Sequence, residues 1–179
     1  MHIYSGRFCT FKEIMIGREF ELLELMKNND QEYRKYVFNK EVDYIPENFN
    51  EELLQWFKKG RVFQFLVYPK NIIKTVGTIF FYAFNTVEKT INCSCFFESS
   101  IRKHPLVAES LAASIILVCD LMQIYAVRFS VYIQNEYMHK IANKLGASIE
   151  DQNHEVIKYM LHIELITIFS KKLNKLLHR

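Results

Sequence analysis

The residue types that most often bind metals or form disulfides are scattered along this sequence. The cysteines are Cys9, Cys93, Cys95 and Cys119, and no two of them form a CxxC pair. Cys93 and Cys95 lie two positions apart in a strand-like segment, so they share one face and suit core packing better than a bridge. No His/Cys/Asp cluster has the spacing of a metal site. We therefore expect reduced, buried thiols and no metal.

Other polar residues stand at the ends of predicted elements. Glu98 follows a strand-like segment, and carboxylates at such positions often cap a loop. Asn135 directly precedes a helical segment, where an asparagine is a good N-cap. His104 and His154 are expected in loops or on the surface. From residue types alone, each of these side chains has a structural role available to it.

Length and composition limit the classes of protein that this chain can represent. Its 179 residues fit one domain, which we expect to span residues 1–179. A net charge of +3 gives no indication of nucleic-acid binding. The N-terminus does not resemble a secretory signal, and the longest apolar run, residues 112–119, is shorter than the ~20 residues of a membrane span. We expect a cytoplasmic protein with no membrane partner.

Hydrophobic periodicity predicts an α+β fold. The predicted strands are residues 8–16, 62–68, 72–84, 87–97, 126–133, 147–149 and 155–163. The predicted helices are residues 20–26, 50–60, a helix after Pro105 with Leu111, Ile115, Val118 and Met122 on its buried face, residues 136–145, and an amphipathic tail, residues 165–179. Gly77 marks a bulge or a close backbone approach within its strand, and Gly146 is a helix C-cap. The tail should pack its apolar stripe on the domain or on a second subunit.

Residues 76–162, about half of the chain, resemble the GNAT N-acyltransferase superfamily. The best match is VRFSVYIQNEYMHKIANKLGASIE, residues 127–150, in which Asn135 fills the family's Asn position and Lys144-Leu145-Gly146-Ala147 fills its turn. The segments VGTIFFY and TINCSCFF resemble the two preceding family strands. The resemblance implies a central mixed, mostly antiparallel sheet with helices on both faces, to which this chain adds a C-terminal helix.

The resemblance also implies acyl-CoA as co-substrate, either acetyl-CoA or a longer acyl-CoA. The family holds the coenzyme's pyrophosphate with a loop of pattern Arg/Gln-x-x-Gly-x-Gly/Ala that opens the central helix. Here Arg102 is kept, while Pro105 and Val107 replace the glycines, so basic side chains must offset a lost backbone contact. The implied coenzyme-binding residues are Phe96, Phe97, Arg102, Lys103, His104, Leu106, Val107, Asn135 and His139.

For the chemistry, the resemblance implies a gap between the end of strand 87–97 and the start of strand 127–133, where a backbone N–H meets the thioester carbonyl. Glu98 is our first choice for the general base, directly or through water. Asn135 would contact the pantetheine arm or order its loop, beside its role as a plain N-cap. Ala142 stands where many relatives carry a tyrosine acid; His139 or Tyr137 are the alternatives, although either also suits a solvated helix face.

The expected function is therefore N-acyl transfer to the amine of a small molecule, with a nucleotide-linked amino sugar as the specific hypothesis. Dense aromatic residues could stack on such an acceptor. A protein N-terminal amine is the alternative acceptor. A degenerate, non-catalytic domain that binds acyl-CoA or a protein partner is the alternative from another class. A homodimer is compatible with the apolar tail.

Overall fold

The computed structural model describes residues 2–13 and 62–165 of the chain. The helices predicted at residues 20–26 and 50–60 and the tail beyond Leu165 lie outside these ranges. The strands of the described part are β1 His2–Ser5, β2 Cys9–Glu13, β3 Val62–Pro69, β4 Gly77–Asn85, β5 Thr90–Phe97, β6 Ala126–Tyr132, β7 Ser148–Gln152 and β8 Val156–His162. Its helices are α1 Pro105–Met122 and α2 Glu136–Leu145, preceded by a short 3-10 helix, Ser99–Ile101.

The strands form a mixed sheet in the order β1-β2-β3-β4-β5-β6-β8-β7. Neighbours pair antiparallel from β1 to β4 and from β6 through β8 to β7, whereas β5 and β6 pair in parallel. A parallel pair needs a crossover connection, and α1 supplies it. The predicted mixed, mostly antiparallel α+β fold is thereby confirmed.

Several strand boundaries predicted from the sequence were wrong. The strand predicted at residues 147–149 is longer, Ser148–Gln152. The strand predicted at residues 8–16 begins at Cys9, and a further strand, β1, precedes it. The strand predicted from residue 72 begins at Gly77, which pairs with Val67. Ile72 and Ile73 are β-branched, but they lie in the connecting loop at 55% and 93% exposure. The strand predicted from residue 87 begins at Thr90, because residues 86–89 form the turn.

Chain contacts divide the protein into two compact units. The first unit contains residues 1–82 and 95–110, and the second contains residues 83–94 and 111–179. Strands β4 and β5 and helix α1 therefore contribute to both units. That residues 1–179 form a single domain remains a prediction.

In the first unit, Gly77 is required by a close approach. A Cβ atom added there would collide with the ring of Phe97 and would lie 2.9 Å from the carbonyl oxygen of Phe96. This confirms the close approach predicted for this glycine. The surrounding core consists of side chains at most 2% exposed, including Phe65, Leu66, Ile79, Phe81, Phe96, Phe97, Leu106 and Val107.

In the second unit, both helices end in a left-handed residue. Gly146 has φ 82°, which glycine adopts without steric cost, and the N–H of Ala147 donates to the carbonyl of Ala142. The predicted C-cap is therefore confirmed. Gln123 has φ 54° after α1, and the N–H of Ile124 donates to the carbonyl of Cys119 in the same pattern.

Helix α1 is long and apolar enough, by length and composition, to cross a membrane. Its side chains Leu106, Leu111 and Val118 are at most 4% exposed, as in the core helix of a globular protein. All four cysteines are free thiols, as expected, and Cys9, Cys93 and Cys119 are buried, whereas Cys95 is only partly buried. Burial raises the pKa of the Cys95 and Cys119 thiols to about 12, so both remain protonated near neutral pH.

Candidate functional site

The loop between β5 and α1 in the first unit carries the predicted base. The N–H of Glu98 donates to the carbonyl of Val76 at 2.9 Å, and its own carbonyl accepts from Ile101 at 3.1 Å. Its side chain does not cap the following 3-10 helix. Instead the carboxylate, 15% exposed, pairs with the ammonium of Lys74 at 2.9 Å. To act as a base, Glu98 must therefore exchange this ion pair for a substrate or a water.

The basic run in the same loop is open to solvent at two of its three residues, whereas Arg102 turns inward and its Nη2 atom is buried. Arg102 is half-buried and its Nε donates to the carbonyl of Phe97 at 3.5 Å, a long bond that directs the guanidinium back towards the end of β5. Lys103 and His104 are exposed. This loop therefore places the exposed charge of Lys103 and the half-buried charge of Arg102 immediately before helix α1.

His104 caps the first turn of α1. Its Nδ1 accepts the N–H of Leu106 at 3.1 Å, and its carbonyl accepts the N–H of Val107 at 3.0 Å. Pro105, the first helical residue, has no N–H to donate. Two backbone donors at the position that the sequence resemblance assigned to a pyrophosphate, the N–H groups of Leu106 and Val107, are thus engaged by His104. An anion bound here must either displace the His104 cap or rely mainly on basic side chains.

Four of the predicted coenzyme-binding residues have buried side chains. They are Phe96, Phe97, Leu106 and Val107, each at most 2% exposed. These residues form part of the core of the first unit. Their role in coenzyme binding remains a prediction.

Asn135 lies in the second unit and caps α2. Its Oδ1 accepts the N–H of Met138 at 3.2 Å, and its own N–H donates to the carbonyl of Tyr132 at 2.8 Å. The N-cap interpretation from sequence is therefore confirmed. The cap engages Oδ1, and whether the amide also contacts a coenzyme remains a prediction.

His139, in the first turn of α2, forms hydrogen bonds at the C-terminal end of β6. Its Nε2 lies 3.0 Å and 3.2 Å from the carbonyl oxygens of Tyr132 and Ile133, and its Nδ1 lies 2.9 Å from the hydroxyl of Tyr159. Because both neighbours of Nε2 are acceptors, Nε2 carries a hydrogen, and in the neutral imidazole Nδ1 accepts from the Tyr159 hydroxyl. His139 is thus half-buried and hydrogen-bonded within the protein, and the solvated helix position expected for it is matched only in part. Tyr159 is 3% exposed and stacks on Phe129 at 5.5 Å.

We expect the His139–Tyr159 pair to contribute to stability as one unit. Tyr159→Phe should lower the free energy of unfolding by about 1 kcal/mol, since it removes the part-buried hydrogen bond between the two side chains. His139→Ala should cost more, since it also removes the Nε2 donor to the carbonyls of Tyr132 and Ile133. The double variant should lose less than the sum, with a coupling of about 0.5–1 kcal/mol in urea unfolding. Tyr125→Phe, at a residue 66% exposed, is the control and should have no effect. Strictly additive losses would show that the hydroxyl does not bond the imidazole.

Two charged residues near the loop were not identified from the sequence. The sequence pattern predicts Lys74 within a strand, and Glu109 lies in the otherwise apolar helical pattern of α1. Glu109 is 4% exposed and its carboxylate accepts the backbone N–H groups of Arg7, Phe8 and Cys9 at 2.8–3.0 Å. A carboxylate on the apolar face of a helix was the available signal, because such a group must find donors when it is buried. Among the described residues, no group of three His, Cys, Asp or Glu could hold a metal ion.

The loop residues Glu98 to Val107 belong to the first unit, whereas Asn135 and His139 belong to the second. Within the first unit, Glu98, Arg102 and His104 are brought into one short loop. Within the second, Asn135 and His139 occupy the start of one helix. The gap predicted from the resemblance has its two sides in different units and remains a prediction.

No family model and no curated protein matches the sequence. Solved structures do match it over nearly the whole chain. One, described as "Apo FdhC- a nucleotide-linked sugar GNAT", has a TM-score of 0.74 at 13% identity and covers 95% of both chains. RimL, a ribosomal L7/L12 α-N-protein acetyltransferase in complex with coenzyme A, has a TM-score of 0.76 at 13% identity, covering 90% of this chain and 98% of its own.

A spermidine N-acetyltransferase from Vibrio cholerae, in complex with CoA and spermine, has a TM-score of 0.74 at 10% identity. It covers 89% of this chain and 98% of its own. These neighbours differ in their acceptors and share one architecture. At such low identity the likeness establishes the fold, and it agrees with the strand order and the strand–helix–strand crossover described above. This chain has the GNAT acetyltransferase fold.

Proposed function

We propose that this chain is a cytoplasmic N-acyltransferase that moves an acyl group from acyl-CoA to the amine of a small molecule. The observation that carries the proposal is the likeness of nearly the whole chain to GNAT acetyltransferases, two of them with coenzyme A bound. The basic loop before α1 supports it, because Arg102 and Lys103 supply positive charge where a diphosphate needs it.

For the acceptor we propose a nucleotide-linked amino sugar. The support is the neighbour described as a nucleotide-linked sugar GNAT, which covers 95% of both chains. Exposed or half-buried aromatic residues on β4, Phe80, Tyr82 and Phe84, offer faces on which a sugar or base could stack. A protein N-terminal amine is the alternative acceptor, and the α-N-protein acetyltransferase among the neighbours favours it.

In the proposed reaction the amine nitrogen attacks the thioester carbonyl carbon. The C–N bond forms, the C–S bond breaks, the amine gives up a proton and the departing thiolate takes one up. Glu98 accepts the amine proton, directly or through a water, once its pair with Lys74 has been exchanged. Asn135 orients the acyl donor while its Oδ1 keeps the cap on α2.

The loop fits coenzyme A when binding relies on side chains. The N–H groups of Leu106 and Val107 are engaged by His104, so the exposed ammonium of Lys103, with the half-buried guanidinium of Arg102 behind it, carries most of the attraction for the diphosphate. This arrangement is less preorganised than a glycine-rich loop, and we expect coenzyme affinity to be strongly salt-dependent.

Thermal shift and thiol release test the proposal together. Acetyl-CoA at about 100 times its Kd should stabilise the protein by about 2.7 kcal/mol, which raises Tm by roughly 5–10 °C. The same Tm measurement with butyryl-CoA and with a longer acyl-CoA shows which acyl donor binds best. Release of free CoA thiol is then measured with nucleotide-linked amino sugars, a peptide with a free N-terminus, and spermidine. A Tm shift with no turnover on any amine would favour the non-catalytic acyl-CoA-binding domain. The absence of any shift at millimolar acyl-CoA would refute the proposal.

A further inference from the structure

Phe8, in the turn between β1 and β2, lies near basic residues from three separate segments: Arg7, Lys70 and His104. The guanidinium of Arg7 lies 5.3 Å from the centre of its ring. Lys70 donates its backbone N–H to the carbonyl of Phe8 at 2.9 Å and its Nζ to the carbonyl of Gly6 at 2.9 Å. The ring of His104 meets the ring of Phe8 edge-on at 5.7 Å. All of these residues belong to the first unit.

The turn that carries Phe8 is fixed from the protein interior. The buried carboxylate of Glu109 accepts the N–H groups of Arg7, Phe8 and Cys9, so three successive peptide groups are held by one side chain. Gly6 is needed for this fit, because a Cβ atom there would lie 2.6 Å from a Glu109 carboxylate oxygen. The backbone from which Arg7 extends is thus preorganised, which lowers the entropic cost of binding a ligand.

The charge in this region is positive. Arg7, Lys70 and Lys103 are exposed, and Arg102 lies two residues before His104. Glu109 turns both carboxylate oxygens to backbone N–H groups in the interior. The other carboxylate described above in this unit, Glu98, is paired with Lys74. These cations give the turn between β1 and β2 a positive charge that suits a multiply charged anion.

We propose that Arg7 and Lys70, arranged with His104 around Phe8, form a second anion subsite that binds a phosphate group of a nucleotide substrate. An arginine offers a planar fork of donors that matches phosphate oxygens, and Lys70 and His104 add donors from two other directions. The proposal rests on the proposed function, because both proposed substrates carry such groups. The phosphate is either the 3′-phosphate of coenzyme A or the diphosphate of a nucleotide-linked acceptor.

Titration calorimetry with three probes tests the subsite and distinguishes the two sources. The probes are coenzyme A, 3′-dephospho-coenzyme A and uridine diphosphate, and the variants are Arg7→Gln, Lys70→Gln and the double variant. If the subsite binds the 3′-phosphate, the double variant should bind coenzyme A about 10-fold more weakly and dephospho-coenzyme A as the wild type does. If it binds the acceptor, affinity for uridine diphosphate should fall about 10-fold while affinity for coenzyme A is unchanged.

Lys140→Gln is the control, since Lys140 is exposed on α2 in the second unit and should alter no affinity. An unchanged Tm of the variants without ligand shows that the turn is intact. Wild-type affinities of the double variant for all three probes would overturn the proposal, and so would a wild-type protein that binds none of them. Thiol release tests the proposed function separately. If the double variant loses about 10-fold in probe affinity but the wild-type protein shows no turnover, the subsite is supported and the proposed enzyme activity is refuted.

Discussion

Glu109→Ala is expected to lower the free energy of unfolding by about 3–5 kcal/mol. The substitution leaves the N–H groups of Arg7, Phe8 and Cys9 without their acceptor, in a region where Glu109 itself is 4% exposed. A hydrogen bond to a charged group contributes about 1.5–3 kcal/mol, and we take the low end because two of the three donors are partly buried and can be hydrated. Urea unfolding measures the loss, which is a large fraction of a typical domain's stability.

Two carboxylate-to-amide substitutions on the same helix separate the hydrogen bonds from the charge. Glu109→Gln keeps the side-chain volume but points an NH2 group at backbone donors, so it should cost about 1–3 kcal/mol. Asp120→Asn, at an exposed position of α1, should change stability by less than about 0.5 kcal/mol. If Glu109→Gln were as mild as Asp120→Asn, the turn between β1 and β2 would not depend on this carboxylate. Glu109→Gln also remains informative if Glu109→Ala fails to fold.

Elements with local signals were predictable from the sequence. Helix α2 was found with its exact bounds because Asn135 and Gly146 mark its ends, and the structure shows both caps. The start of β4 was missed because its loop contains β-branched residues such as Ile73. There the deciding contacts are tertiary: the hydroxyl of Thr75 donates to the carbonyls of Val67 and Gly77, which ends the loop at Gly77. Strand propensity depends on residue types and does not reflect such a tertiary contact.

The candidate site was predictable only in part, for the same physical reason. The basic loop from Arg102 to His104 could be read directly, because three basic residues stand before a helix. The partner of His139 could not, since Tyr159 lies 20 positions away on another element. Glu109 reaches residues about 100 positions earlier in the chain, so only its unusual place on an apolar face could have drawn attention to it. Long-range partners of polar groups are decided by the fold.

Asn135→Ala is expected to lower kcat/KM about 100-fold, and more than Glu98→Gln does. In the proposed enzyme the Asn135 amide positions the acyl donor, and misplacement by about an ångström can cost on the order of 100-fold in rate. Glu98 starts in an ion pair with Lys74, so its carboxylate is less easily replaced as a positioning group than as a base. An amine that binds in its neutral form needs no base, and a water can accept the proton in place of Glu98. General-base help reaches 10²–10⁴-fold only where proton transfer limits the rate. Both variants are compared by thiol release across pH 6 to 9.

The structure requires one control for this ranking, because Asn135 also caps α2 through the N–H of Met138. Asn135→Ala should therefore cost about 1 kcal/mol of stability as well as activity. Asn135→Ser keeps a capping oxygen and removes the amide, so its Tm should match the wild type while its kcat/KM stays about as low as that of Asn135→Ala. Wild-type activity of Asn135→Ser would reduce Asn135 to a structural cap. A severe loss in Glu98→Gln beside a mild one in Asn135→Ala would instead assign the chemistry to the carboxylate.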